Sequence, residues 1–249
     1  MFCDYHFQEL MRIENQVHYC FSPPQGWMPF VTIERESPIL LSAPHGAITF
    51  RNSDDQFWHE EDEYTAGMAL FLADIFQTSA IATTWKTIDS DPNFHHEQRS
   101  PYKQKIRFLV EKFNIRYVID LHGAKADSKR IPNDKLVDLG TRKNCDSLEP
   151  KLTDILEDRI NVNLDGKYVN RNGFPAKEVR SHMTITAFCN YVLKTQSVQI
   201  EMKPQVRIPM RRIDSSAFAK GESLKTDPEL VLSMLHGIGE FLIYLKGIA

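Results

Sequence analysis

Residues Arg116 to Lys125 read RYVIDLHGAK. Tyr117, Val118 and Ile119 are aromatic or β-branched and predict a buried strand. Asp120, Leu121, His122 and Gly123 follow, so the strand delivers polar side chains at its carboxyl end. In open α/β sheets that edge is where ligands bind. His122 stands two residues after Asp120, so both side chains leave the strand on one face. One can ligate a metal while the other orients or charges it.

Pro38 to Gly46, PILLSAPHG, has the same form: an apolar run of Ile39, Leu40 and Leu41, then small residues, then His45-Gly46. Histidine is scarce, 9 residues in 249. Two strands that each end in His-Gly are therefore the strongest signal in the chain. Either histidine alone would pass as a strand-end residue bonded to backbone. The pair, with an acidic cluster between, points to a site.

Other segments alternate strand and helix. Phe30–Ile33 and Pro38–Leu41 predict a first hairpin or strand pair, and the loop after His45 is polar. His59 to Glu63, HEEDE, predicts the opening turn of a helix that runs on through YTAGMALFLADIF, its acids favouring the positive end of the helix dipole. Ala80–Trp85 predicts a strand, Ile88–Gln98 a loop and Tyr102–Phe113 a helix. Leu136–Leu139 reads as a short strand, Ser147–Ile160 as a helix capped by Ser147, and Asp165–Pro175 as turns. Thr184–Leu193 reads as a helix, Ser197–Met202 as a buried strand and Pro228–Leu245 as a closing core helix. Strands alternating with helices predict a central sheet with helices on both faces, in one domain spanning 1–249.

Composition bounds the function. The net charge of −3 argues against a nucleic-acid partner held on a basic surface. No apolar run stands out as a membrane span. The start, MFCDYHFQEL, has no early Lys or Arg and does not resemble a signal peptide. Cys3, Cys20, Cys145 and Cys189 are scattered without CxxC spacing, as reduced thiols of a cytoplasmic protein would be. The expected partner is a small-molecule substrate; self-association is not readable.

Two histidines and one carboxylate form the ligand set of a hydrolytic zinc site with an open position for water. His45 and His122 supply the imidazoles. The carboxylate comes from Glu60, Glu61, Asp62 or Glu63, with the choice open. Glu201 ends the apolar run SVQI, where an unpaired acid is costly, and is the candidate to move the proton. A salt bridge to Lys203 or Arg207 is its structural alternative. Arg99, Arg180 and Arg207 could grip a substrate carboxylate bidentately, and Asn93 could hydrogen-bond the substrate. Surface or turn roles serve each of these four equally well.

Taken in order, SAPHG, EDEYT, DPN, IDLHG, DLGT and VQIEM resemble the N-formylglutamate amidohydrolase family over about residues 38 to 210. The resemblance implies a three-layer, mixed α/β fold like that of zinc carboxypeptidases, with one Zn²⁺. It implies His45, Asp62 and His122 as ligands, with Glu63 the alternative acid, and Asp120 behind the metal. Glu201 resembles the catalytic carboxylate, and Arg207 a substrate-carboxylate arginine. The family tends to read PHSG where this chain reads PHGA, and DxNR where it reads DPNF. Phe94 thus replaces an arginine suited to an acidic substrate. The implied activity is hydrolysis of an amide bond in a small N-acyl amino acid by metal-activated water. Two alternatives stay open: a binding or regulatory protein that kept the fold without turnover, and a carboxypeptidase- or deacylase-like enzyme for longer substrates.

Overall fold

The computed structural model describes residues 4–52, 57–140, 148–161, 166–174, 178–179, 182–224 and 227–249. Helix α1 (Asp4–Glu14) precedes strands β1 (Phe30–Ile33), β2 (Ile39–Ala43), β3 (Thr49–Asn52) and β4 (Phe57–His59). Helix α2 (Thr65–Ile75), β5 (Ser79–Thr83), α3 (Pro101–Phe113), β6 (Tyr117–Gly123) and β7 (Val137–Gly140) follow. Then come α4 (Leu148–Asn161), β8 (Val169–Arg171), β9 (Glu178–Val179), β10 (His182–Met183), α5 (Ile185–Tyr191) and β11 (Gln196–Met202). Helices α6 (Pro204–Arg207), α7 (Ser216–Ala219) and α8 (Pro228–Ile248) close the chain.

Seven strands form one mixed sheet in the order β1-β5-β2-β6-β11-β7-β8. The neighbours β5, β2, β6 and β11 run parallel; β1 pairs antiparallel with β5, and β7 pairs antiparallel with β11 and parallel with β8. Alternation along each strand divides the sheet's two faces. Ile39, Leu41, Ile119, Leu121, Val198 and Ile200 pack on one side in a core shared with residues of α1, α2, α4 and α8. Leu40, Ile81 and Val118 pack on the other, with Tyr102, Ile106 and Leu109 of α3 and Ile185 and Phe188 of α5. Helices on both faces of a mixed sheet match the expected class. After β2 the sheet is next joined by β5 on one side; after β6 it is joined by β7, β8 and β11, all on the other. The gap between β2 and β6 is therefore a topological switch point, where α/β sheets place ligands.

Several local expectations fail for physical reasons. β1 and β2 are not a hairpin, because β5 lies between them. The polar loop after His45 contains the β3–β4 hairpin, and turn-rich 165–175 contains the edge strand β8. HEEDE is not a helix start: His59 ends β4, Tyr64 has φ 67°, and α2 begins at Thr65 with no acid in its first turn. The buried carboxylate of Glu14 takes the capping role, accepting from Tyr64 N at 2.9 Å and Gly67 N at 2.8 Å. The expected Ser147 cap lies outside the described residues. Elsewhere local signals suffice: Ser100 caps α3 ahead of Pro101, Thr184 caps α5, and Asp227 caps α8 ahead of Pro228. Among the described residues α8 alone is long and apolar enough to cross a membrane, contrary to the reading that no run is. Leu230, Met234, Leu235, Ile238, Phe241 and Leu242 are nonetheless buried in the core.

Candidate metal centre

The sheet's second face is apolar in its lower half and polar at the carboxyl edge. Val118 gives way to Asp120 and His122 on β6, and Gln199 and Glu201 lie beside them on β11. His45 hangs just past β2. Both His-Gly pairs have a packing cause. A Cβ at Gly46 would stand 2.4 Å from Ala66 Cβ and 2.5 Å from Thr83 O, and one at Gly123 would stand 2.8 Å from the Arg207 guanidinium. Glycine lets α2 approach the end of β2 and lets Arg207 lie against the end of β6.

His45, Asp62 and His122 are buried, with one donor atom from each lying within 4.8 Å of the others. Asp62 Oδ2 stands 3.5 Å from Nδ1 of both histidines. Each ring is held from behind through Nε2. Asp91 Oδ1 lies 2.9 Å from His45 Nε2, and Asp120 Oδ2 lies 3.0 Å from His122 Nε2. Carboxylates bonded to the far nitrogen fix which nitrogen faces a metal. The backbone aligns the acid: Asp62 N donates to His45 O at 2.7 Å, and Thr65 Oγ1 donates to Asp62 O at 2.8 Å.

The donors fit a small divalent ion. Bonds of 2.0–2.1 Å in a tetrahedral site place neighbouring ligand atoms about 3.4 Å apart. The 3.5 Å spacings match this, and His45 Nδ1 is buried without a hydrogen-bond partner. Electrostatics agree. Burial pushes the His45 and His122 imidazoles toward neutrality, but the charges of Asp91 and Asp120, with the Asp62 carboxylate 3.5 Å away, outweigh it and raise both pKa values. Burial works against the ionised form of Asp62 too; the neighbouring imidazoles of His122 and His45 reverse that and hold it far below the usual carboxylate range. Such a surplus of buried carboxylate is favourable ground for a cation.

Glu201 is buried beside this cluster. Burial first, opposed by the charge of His122, raises its pKa to about 7. It accepts from Gln199 Nε2 at 2.5 Å; Lys203 instead reaches Pro132 O, so the salt-bridge alternative is not what forms. Arg207 is buried, donating from Nε to Met202 O and from Nη1 to Glu63 O. Among the described residues no acid pairs with it. Glu63 turns away from the histidines: its Oε2 lies 3.3 Å from Arg211. Glu61 accepts from Ser216, and Glu60 pairs with Lys220, so Asp62 alone of the four acids meets the histidines. A cavity of about 610 Å³ reaches the centre at Asp62, its wall also including His59, Gly123, Arg207, Arg211 and Phe174.

The other expected substrate residues are not gathered there. Asn93 Oδ1 accepts from Ile185 N at 2.7 Å, at the start of α5. Arg99 is exposed at the end of a short 3₁₀ turn, and neither it nor Asn93 lines the cavity. Arg180 lies outside the described residues. Sequence reasoning missed Asp91, although DPN drew attention to its neighbour; nothing periodic ties it to a histidine 46 residues away. It missed Arg51, whose Nε donates to Asp91 at 2.6 Å and whose guanidinium lies 5.8 Å from the Phe94 ring centre. It also missed His59, stacked on His45 with ring centres 3.9 Å apart. Burial, then the charge of His45, lowers the His59 pKa to about 3, leaving a neutral imidazole in the cavity wall.

No family model matches the sequence, and no curated protein sequence is significantly similar. Solved structures are. An N-formylglutamate amidohydrolase from Ralstonia eutropha JMP134 superposes with a TM-score of 0.55 at 14% identity, covering 88% of this chain and 97% of that one. A gene product of Agrobacterium tumefaciens gives 0.56 at 11% identity, over 90% and 98%. A metallo-carboxypeptidase from Pseudomonas aeruginosa aligns at 0.45 and 13% identity, over 96% and 69%, too loosely to argue from. The first two likenesses establish the fold.

Proposed function

We propose that this chain is a zinc-dependent hydrolase that cleaves an amide bond in a small N-acyl substrate bearing a carboxylate. The observation that carries the reading is the pair of buried imidazoles, each held at Nε2 by its own aspartate and turned with Nδ1 toward Asp62. His45, Asp62 and His122 would hold the ion. When bound it supplies Lewis acidity, polarising the scissile carbonyl and acidifying water.

The remaining chemistry belongs to the chain. Glu201 is buried, within the field of His122 and Asp62, with a pKa raised to about 7. That suits a group that takes a proton from the attacking water and returns it to the leaving nitrogen. Arg207 brings to the cavity wall a buried positive charge that has no acidic partner among the described residues, and a substrate carboxylate would satisfy it. The fold's likeness to an N-formylglutamate amidohydrolase supports the reaction class.

The cavity favours a second reading within the same chemistry. Pockets of about 300–1,000 Å³ take drug-sized ligands. At about 610 Å³ this one has room for a longer, peptide-like acyl chain than formyl. The test is metal analysis of purified protein with a hydrolysis screen of N-acyl amino acids graded by acyl length. The expected result is one metal ion per chain and turnover that a chelator abolishes. Stoichiometric metal with tight binding and no turnover would replace the enzyme by a binding protein; no metal at all would overturn the reading.

A further inference from the structure

Gln199, in the VQIEM segment, has no part in the scheme so far. It is 4% exposed, is the register partner of Asp120, and sits two residues before Glu201 on the same face of β11. Its side-chain amide has two ends, and a half-turn exchanges them. With the NH₂ on Glu201 Oε1, the carbonyl is left at the other end. Gln199 Oε1 is buried without a partner, and so is Asp120 Oδ1 on the neighbouring strand. Two orphaned acceptors on register-paired residues are unusual in a protein interior.

Gln199 gives its donor to Glu201 and leaves Asp120 Oδ1 bare. We propose that Gln199 is a positioning residue for Glu201, its side-chain NH₂ fixing the carboxylate so that one oxygen is held and the other is presented to the substrate. This deepens the hydrolase reading and rests on it. Gln199 touches no reacting atom; it acts through the carboxylate it holds.

The test is Gln199→Met, close in shape and lacking the donor, measured with the metal-loaded enzyme on its best N-acyl amino acid. The expected result is a fall in kcat of about ten- to a hundredfold. KM, metal stoichiometry and melting temperature should stay as they are. The acid limb of the pH–rate profile should also move to higher pH, since a donor that favours the charged carboxylate has gone. In a Glu201→Gln background the same change should have no further effect on kcat, because the carboxylate through which Gln199 acts has gone. If Glu201→Gln itself leaves activity intact, the hydrolase scheme fails. If Glu201→Gln abolishes activity while Gln199→Met is silent, only the present inference fails. Should Gln199→Met melt early, or the native chain show no turnover, the side-chain NH₂ resonances of Gln199 decide. They should shift on Glu201→Gln, and unchanged resonances would overturn the proposal.

Discussion

His122 and His45 present the same nitrogen to the same carboxylate, yet they are built differently. His122 sits inside β6, and its aspartate stands two residues earlier on the same strand. His45 lies beyond the end of β2, and its aspartate comes from a loop 46 residues further on. The strand arm is placed chiefly by the pleat, with one long bond from Thr186 Oγ1 to Asp120 Oδ2 at 3.4 Å. The loop arm is placed by contacts: Asp91 also accepts from Arg51 at 2.6 Å and from Asn93 N at 2.8 Å. The better-satisfied carboxylate belongs to the arm with the less regular backbone, while Asp120, fixed by its strand, keeps one buried oxygen bare. Equivalent chemistry can rest on local geometry or on a network, and the two should fail differently.

The largest effect should come from removing either ring. Structural zinc sites bind with about 10–16 kcal/mol, so losing one of a few ligands costs on the order of 3 kcal/mol, over a hundredfold in affinity. His45→Ala and His122→Ala should both emerge from gel filtration without stoichiometric metal, and full occupancy in either would break the equivalence.

The pH profile sharpens the strand arm, where Glu201 is the register partner of His122. Burial raises Glu201 to about 7, so below that pH it keeps its proton and cannot serve as a base. kcat/KM should fall about tenfold per pH unit on the acid side. A bound cation favours the carboxylate and moves this limb lower, and Glu201→Gln should abolish it.

Replacing the two aspartates separates the arms. Asp91→Asn and Asp120→Asn should each weaken metal binding by about ten- to a hundredfold, measured by competition with a chelating dye. Asp91→Asn should also lower stability by about 1–3 kcal/mol in urea melts, because it removes the charge from the buried bond that Arg51 donates to Asp91. Equal stability in the two variants would contradict the distinction drawn here.

The smallest effects concern the glycines. Gly46→Ala drives a methyl into Thr83 O, a backbone atom, whereas Gly123→Ala meets a side chain able to shift. Gly46→Ala should cost about 1–3 kcal/mol of stability. Gly123→Ala should cost less but raise KM by displacing Arg207.

What could be read from the chain follows the same division. The strand arm was legible: a β-branched run, Asp and His two apart, then glycine. The sheet and its covering helices were legible from periodicity. The loop arm was half legible, since His45 announced itself and Asp91 did not. The acid was the hardest residue. Residues Glu60 to Glu63 look like a helix's first turn and left several carboxylates open, with Asp62 singled out only by family resemblance. Their true conformation is set from a distance. Glu14 bonds Tyr64 N, Arg207 bonds Glu63 O, and Ser216 bonds Glu61. No local pattern encodes those partners.

The central claim is that His45 Nδ1, His122 Nδ1 and an Asp62 oxygen share one ion. Anomalous diffraction at the zinc edge from zinc-loaded crystals tests it directly. The account predicts a single strong peak about 2.0–2.1 Å from all three atoms. A peak elsewhere, or imidazoles ligating through Nε2 with the aspartates swung away, would contradict it.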